Sequence, residues 1–236
     1  MQAFSSSSIM HLVGDLIALL DAVAPSEEKV FVVGYDWGAI VTWHLAMYRP
    51  DRVMALVNLS LPFSPRNPQM NAVELGRQLY GDDLYIYRFQ EPGYIEGVFE
   101  EAGTKEVLKN IFSYRNTNPF YFPNGPTEQD LDYYVTKFNK TGFTGGVNYY
   151  RALALWELKA PWSGGGVTVP TKFIDVGELD FIYHGPGVQD YIHGGGFKQF
   201  VPLLEDAVVL EGAAHFIGEE RPDEINQHIY SFITQF

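Results

Sequence analysis

Apolar residues at Ile9, Leu12, Val13, Leu16, Leu19, Leu20 and Val23 recur every three or four positions, the spacing that lines one face of an α-helix. Serines at 5–8 precede this stretch and can cap it, and Pro25 closes it. The period then changes. Val30, Phe31, Val32 and Val33 form a short continuous apolar run ended by Gly34, as expected of a parallel strand buried on both faces. Ala39 to Tyr48 reads as a helix stopped ahead of Pro50, and Val53 to Ser60 as the next strand. Helix, strand, helix, strand predicts an α/β fold with a mostly parallel sheet.

From about Leu61 to Gly166 the pattern gives way to Pro, Asn, Tyr and Phe, with helical patches at Asp130 to Phe138 and Asn148 to Leu158. We expect an inserted, mostly helical lid at 62–166 between two parts of a core, 1–61 and 167–236. Ser163-Gly164-Gly165-Gly166 would be its exit hinge. Alternation resumes with predicted strands at Thr171 to Val176 and Ala207 to Leu210. Ile225, Ile229, Phe232, Ile233 and Phe236 then mark the apolar face of a terminal helix.

Composition narrows the function classes. The 236 residues are 46% hydrophobic and 19% charged, enough to bury a core and a smaller lid. With 29 acidic and 16 basic residues the net charge is −13, which repels phosphate backbones and anionic headgroups and argues against a nucleic-acid partner. Cysteine is absent, so disulfides, thiolate zinc sites and a cysteine nucleophile are excluded. There is no basic start followed by an apolar stretch and no run of about 18 apolar residues, so the expectation is a soluble, cytoplasmic protein without a membrane span. The 15 Tyr and 17 Phe suit either an aromatic core or a pocket for an apolar ligand.

The sharpest chemical signal is Gly34-Tyr35-Asp36-Trp37-Gly38, between a predicted strand and a predicted helix. A strand-to-helix elbow needs glycines two residues either side of its central residue, because side chains there would collide, and the turn exposes the central side chain at the carboxyl edge of the sheet. The bland alternative is an Asp that caps the helix. As a nucleophile, Asp36 is already anionic and needs no base to attack a saturated carbon. The alkyl ester that results must be cleaved by water, which demands a histidine paired with a second acid.

Of six histidines, His11 and His228 sit on predicted helices. His44 lies eight residues beyond Asp36, roughly 12 Å along the helix, and reads as a packed or surface residue. His184 and His193 are weaker candidates in the loop after Asp180. His215, in Gly212-Ala213-Ala214-His215-Phe216, follows the last predicted strand, at the sheet edge where sites in open α/β sheets assemble. The second acid should also end a strand, and Gly177-Glu178-Leu179-Asp180 does so. Nucleophile, acid, histidine is the α/β-hydrolase order, but spacing alone does not separate Glu178 from Asp180. No phosphate loop, dinucleotide fingerprint or metal-ligand histidine pair occurs, so no cofactor and no metal is indicated.

The chain resembles the plant-type soluble epoxide hydrolases of the α/β-hydrolase superfamily. The likeness rests on Val33-Gly34-Tyr35-Asp36-Trp37-Gly38-Ala39, Arg49-Pro50-Asp51-Arg52-Val53, Asn148-Tyr149-Tyr150-Arg151-Ala152-Leu153, Gly177-Glu178-Leu179-Asp180, Tyr191-Ile192-His193 and Glu211-Gly212-Ala213-Ala214-His215-Phe216. It implies hydrolysis of a small apolar epoxide, fatty-acid-like or aromatic, to a vicinal diol. Asp36 would be the nucleophile, His215 the base, Asp180 the orienting acid and the Trp37 amide an oxyanion donor. Tyr85 and Tyr150 would be the lid acids that protonate the opening oxygen, a role suited to a phenol. Tyr80 and Tyr87 compete with Tyr85 for its place.

Two departures stand out. The family usually has His where this chain has Tyr35. It also carries a leading segment of four strands and a His-Gly-x-Pro loop, with a second oxyanion donor, ahead of the helix at Ile9. Without that segment the expectation is an exposed apolar edge at Val30 to Val33, self-association, and activity lowered about 10² to 10³-fold or lost. A truncated, non-catalytic form and a haloalkane dehalogenase are the competing readings.

Overall fold

The first apolar run folds as helix α1 (Ile9–Val23), which buries Ile9 and Val13. This is seen in a computed structural model that describes residues 8–67, 71–115, 117, 128–153, 155, 165–174, 177–205 and 207–236. Several expected features fall outside the described residues: the serines at 5–7, the hinge positions 163–164, the strand end at 175–176, and 154 and 156–158 of the second helical patch.

Strand β1 (Val30–Tyr35) runs parallel to β2 (Val53–Leu59), with Phe31 opposite Ala55 and Tyr35 opposite Leu59. On its other side β2 runs parallel to β3 (Thr171–Ile174), with Leu56 opposite Thr171 and Leu59 opposite Ile174. The order is β1-β2-β3. The central strand β2 is buried along nearly its whole length, as its largely apolar sequence, broken at Asn58, requires. In the outer strand Phe31 and Val33 are 43% and 47% exposed, so the burial on both faces read from the apolar run is not seen, whereas exposed apolar residues are found on this strand as expected. Helix α2 (Trp37–Tyr48) packs on β1 and β2, while the Phe31 side of β1 meets Phe236, with ring centroids 6.5 Å apart. A continuous apolar run specifies a strand but not the cover on both of its faces.

The strand expected at Ala207 to Leu210 is also corrected. Val208 makes a single bridge to Ile174, donating to the Phe173 carbonyl at 3.1 Å, and Leu204 a separate one to Thr171. One pairing point on a four-residue strand does not make a ladder.

α2 buries Ala39, Val41, Thr42, Trp43, His44, Leu45 and Ala46, so it is covered on most sides. A buried polar knot fastens it to β2: Thr42 Oγ1 donates to Asn58 Oδ1 at 2.7 Å, and Asn58 Nδ2 to the Ala39 carbonyl at 3.2 Å. Gly34 faces this knot, and an added Cβ there would collide with Thr42 Oγ1 and Asn58 Oδ1. The terminal helix, numbered α12 below, contributes Ile225 and Phe232 to a core with Val57, Leu59, Ile174 and Ile217.

The chain divides into two compact units: 67–160, and 9–66 with 161–236. The first holds α3 (Ala72–Tyr80), α4 (Tyr85–Arg88), α5 (Tyr94–Ala102), α6 (Thr104–Phe112), α7 (Glu128–Thr141) and α8 (Thr144–Arg151). Its core joins Phe89, Ile95, Phe99, Val107 and Val147. The second unit holds the sheet, α1, α2 and, after β3, α9 (Val188–His193), α10 (Gly196–Phe200), α11 (Ile217–Glu220) and α12 (Pro222–Ile233). Among the described residues no helix is long and apolar enough to cross a membrane.

Candidate active site

The elbow leaves β1 at Tyr35 and enters α2 at Trp37, with Asp36 at φ 52° and ψ −121°, a backbone conformation that non-glycine residues seldom adopt. Asp36 makes no side-chain capping bond to α2, so its carboxylate is not spent as a helix cap. The side chain keeps 30% of its surface exposed. Burial pushes its pKa up, while the charge of His215 and the Trp37 amide pull it down; the net effect is upward.

Two loops at the carboxyl edge of the sheet are pressed together. A Cβ on Gly177 would collide with the Ala213 backbone, and the Leu179 amide donates to the Ala213 carbonyl at 2.9 Å. This contact turns Asp180 inward. Asp180 is 1% exposed, and its Oδ2 accepts from His215 Nδ1 at 2.6 Å while Oδ1 accepts from the Ile182 amide at 2.7 Å. Glu178 instead accepts from the Gly212 amide at 3.3 Å, tying the two loops without reaching the imidazole. Of the two acids that spacing does not separate, Asp180 is the one in contact with the imidazole.

His215 presents Nε2 to Asp36 Oδ2 at 3.9 Å, beyond hydrogen-bond length. Burial opposes its charge, but the hydrogen bond and charge of Asp180, with Asp36 and Glu220, outweigh that and raise its pKa above the ordinary value of 6.5. Its main chain is tethered on both sides: the Ala214 amide donates to the Glu220 carboxylate at 3.1 Å, and the His215 carbonyl accepts from the Tyr35 hydroxyl at 2.8 Å and the Ile217 amide at 2.9 Å. Ser60, buried at φ 79°, places Oγ 3.5 Å from Nδ1. Sequence reasoning missed Ser60 and Glu220. Ser60 ends a predicted strand at the site edge, a signal that was there; Glu220 has none beyond its closeness to His215 in the chain.

The other histidines lie elsewhere. His11 and His228 are on α1 and α12. His44 is buried within α2, with Nδ1 2.7 Å from the Ile40 carbonyl, and burial lowers its pKa. His184 contacts the Glu178 carbonyl and His193 the Tyr183 hydroxyl. Among the described residues no group of three or more His, Asp or Glu is placed to hold a metal.

In the helical unit Tyr85 and Tyr150 meet edge to face, with centroids 5.6 Å apart, and Phe89 packs on both at 5.5 and 5.0 Å. Gln90 Nε2 donates to the Ile86 carbonyl at 2.9 Å and the Tyr150 carbonyl at 3.0 Å, stitching α4 to α8. Arg151 is buried and bidentate on Glu96, both contacts at 2.8 Å, and also donates to the Phe89 and Glu91 carbonyls and Asn148. Tyr87, by contrast, is buried beside Gly76 with Arg77 over its ring at 5.6 Å. Tyr80 packs in the same small cluster as Tyr87.

The alpha/beta hydrolase family model matches residues 4–228. Epoxide hydrolase 1 of Siraitia grosvenorii is 52% identical over 98% of this chain and 77% of its own length. The chain belongs to the alpha/beta hydrolase family, in its epoxide hydrolase branch. The structure of epoxide hydrolase I of potato (Solanum tuberosum) matches at a TM-score of 0.95 and 58% identity over 99% of this chain and 78% of that one. An epoxide hydrolase of Vigna radiata matches at 0.93 and 49% over 100% of this chain and 78% of that one. The α/β-hydrolase fold expected from the elbow and strand order is therefore the fold of this chain, and the comparisons do not favour the dehalogenase reading.

Proposed function

We propose that the chain is an epoxide hydrolase that opens epoxides to vicinal diols through an alkyl ester on Asp36. One observation carries the reading: His215, fixed on one side by Asp180 at 2.6 Å, directs Nε2 at the Asp36 carboxylate from 3.9 Å. A serine nucleophile would need the imidazole in direct hydrogen-bond contact to lose its proton. A carboxylate does not, and the longer separation suits a base that acts through water on the ester carbonyl.

In the first half-reaction Asp36 attacks an epoxide carbon, the ring C–O bond breaks, and Tyr85 or Tyr150 gives the oxygen a proton. In the second, His215 takes a proton from water as that water adds to the ester carbonyl, the Trp37 amide stabilises the oxyanion, and the diol leaves with the proton returned. The water's remaining proton restores the tyrosinate. Esterification also removes the charge on Asp36 that helps to raise the His215 pKa, so forming the intermediate shifts His215 toward the neutral form its next step needs. Residues 67–160 serve as the lid that carries the acid. The pairing of Tyr85 with Tyr150 favours Tyr85, which packs on the Phe89 cluster as well as on that of Tyr87, over Tyr80 and Tyr87, which pack on the latter. The aromatic surroundings of the pair, Phe89, Phe99 and Phe143, support an apolar epoxide as substrate.

A single turnover in heavy-oxygen water tests the covalent step. The label is expected in the Asp36 carboxylate after diol forms, because water enters at the ester carbonyl. Diol formed with an unlabelled Asp36 peptide means that water attacks the epoxide directly, and the mechanism falls.

A further inference from the structure

The residue beside the nucleophile has a role of its own. Tyr35 ends β1 and its hydroxyl donates to the His215 carbonyl at 2.8 Å, across 180 positions of chain. Its ring lies 5.4 Å from the imidazole, tilted by 41°, and packs on the core that holds Leu210, Ala213 and Ile217, the residues bracketing the histidine loop. The nucleophile and its neighbour thus serve the same histidine from opposite ends: Asp36 faces Nε2, and Tyr35 grips the backbone.

We propose that Tyr35 is a positioning residue for the ester-hydrolysis step, setting the height of His215 above Asp36 through its hydroxyl; the proposal rests on the epoxide hydrolase reading. The nucleophilic attack needs only Asp36 and the tyrosine acids, so it is insensitive to small movements of the imidazole. Hydrolysis needs Nε2 at a fixed distance from the ester carbonyl, and a displacement of a fraction of an ångström is felt there. Burial above all, with the negative charges of Asp36, Asp180, Glu219 and Glu220, pushes the pKa of the phenol far up, so it stays a hydrogen-bond donor throughout the working range. The tethers from Ala214 to Glu220 and from Leu179 to Ala213 hold the flanks of the histidine, and the Ile217 amide, which shares its carbonyl at 2.9 Å, belongs to the same loop, so Tyr35 is the tether that ties this carbonyl to the sheet.

Tyr35→Phe in the full chain tests this, since it keeps the ring and removes only the hydroxyl. Rapid quenching and intact mass follow the two half-reactions with an apolar epoxide. We expect the alkyl-enzyme to form within about twofold of the parent rate and its hydrolysis to slow about five- to tenfold, the effect of one net hydrogen bond. Equal slowing of both steps, or unchanged hydrolysis, overturns the proposal. A second readout needs no substrate: the far-downfield Nδ1 proton of His215 in the free protein should shift or broaden in the variant, and an unmoved, equally sharp resonance also overturns it. If the parent protein forms no alkyl-enzyme at all, the epoxide hydrolase reading fails, while the resonance still decides whether Tyr35 positions His215.

Discussion

Each compact unit sets an acid against a buried or nearly buried base, Glu96 against Arg151 and Asp180 against His215, and the two pairs are built to opposite ends. In the helical unit Arg151 spends its donors on Glu96, Asn148 and the carbonyls of Phe89 and Glu91. In the sheet unit His215 spends Nδ1 on Asp180 and directs Nε2 at Asp36 from 3.9 Å. A pair with every donor used holds helices in register; a pair that leaves one nitrogen short of contact, beside a strained and partly exposed carboxylate, is placed to move a proton. The contrast separates scaffold from site more surely than burial, since Arg151 and Asp180 are both buried.

The largest stability effect should follow from breaking the saturated pair. Arg151, whose side chain is 2% exposed, leaves Glu96 and three other acceptors without it in Arg151→Met. A cost of about 3–5 kcal/mol is expected, lowering the thermal midpoint by roughly 6–20 °C. Calorimetry checks this, and a change of a degree or less would make the pair incidental.

The two pairs also respond to pH in opposite senses. The Arg151 hydrogen bonds hold Glu96 at about 2, below its ordinary 4.5, so its contribution is present above 4.5 and is lost as pH falls toward 2. The His215 pKa is raised, so its contribution is complete below 6.5 and is lost as pH rises through the higher folded value. Midpoints measured across both windows should fall at each end. Glu96→Gln should remove the acid-side dependence and His215→Gln the neutral-side one. The hydrolysis step should meanwhile show its acid limb at lower pH than the titration of His215 in the free protein, because Asp36 is uncharged in the ester.

Asp36 pays for its position in stability. Its pKa is raised by burial, so the ionised form is disfavoured by the fold at neutral pH, and Asn keeps the shape of the side chain without its charge. Asp36→Asn should abolish diol formation yet raise the midpoint by roughly 2–4 °C, the change that about 1 kcal/mol makes in a chain of this size. A clear loss of stability would show that the carboxylate helps to hold the elbow. The smallest effect belongs to Glu178→Gln, which keeps an acceptor for the Gly212 amide: turnover should stay within about threefold, while Asp180→Asn loses far more.

The sheet unit was the more legible in sequence, for a physical reason. The strand-to-helix elbow leaves no room for a Cβ at 34, although the collision expected at 38 is absent, since a Cβ there would meet open space; strand ends in a parallel sheet are where chemistry collects, so Asp36 and His215 stood out. The decision between Glu178 and Asp180 was not local: it depends on Gly177 meeting the Ala213 backbone, a contact between segments 36 residues apart. Likewise the apolar run at Val30 to Val33 marked a strand but not which of its faces is covered, since cover is a tertiary property: Phe31 and Val33 are exposed. In the helical unit α3, α5 and α6 went unread although each is amphipathic, because they are only nine residues long and Gly76 and Gly97 interrupt α3 and α5; Tyr85 and Tyr150 were two tyrosines among 15 until the resemblance marked them and α4 and α8 brought their rings together.

The division of labour between the two units is tested most directly by intact-protein mass after mixing two variants with an apolar epoxide. His215→Gln should accumulate an adduct equal to the substrate mass on the Asp36 peptide, with hydrolysis slowed about 10³-fold or more. Tyr85→Phe combined with Tyr150→Phe should form little or no adduct. An adduct in the double tyrosine variant and none in His215→Gln would contradict the account, placing the acid in the sheet unit and removing His215 from ester hydrolysis.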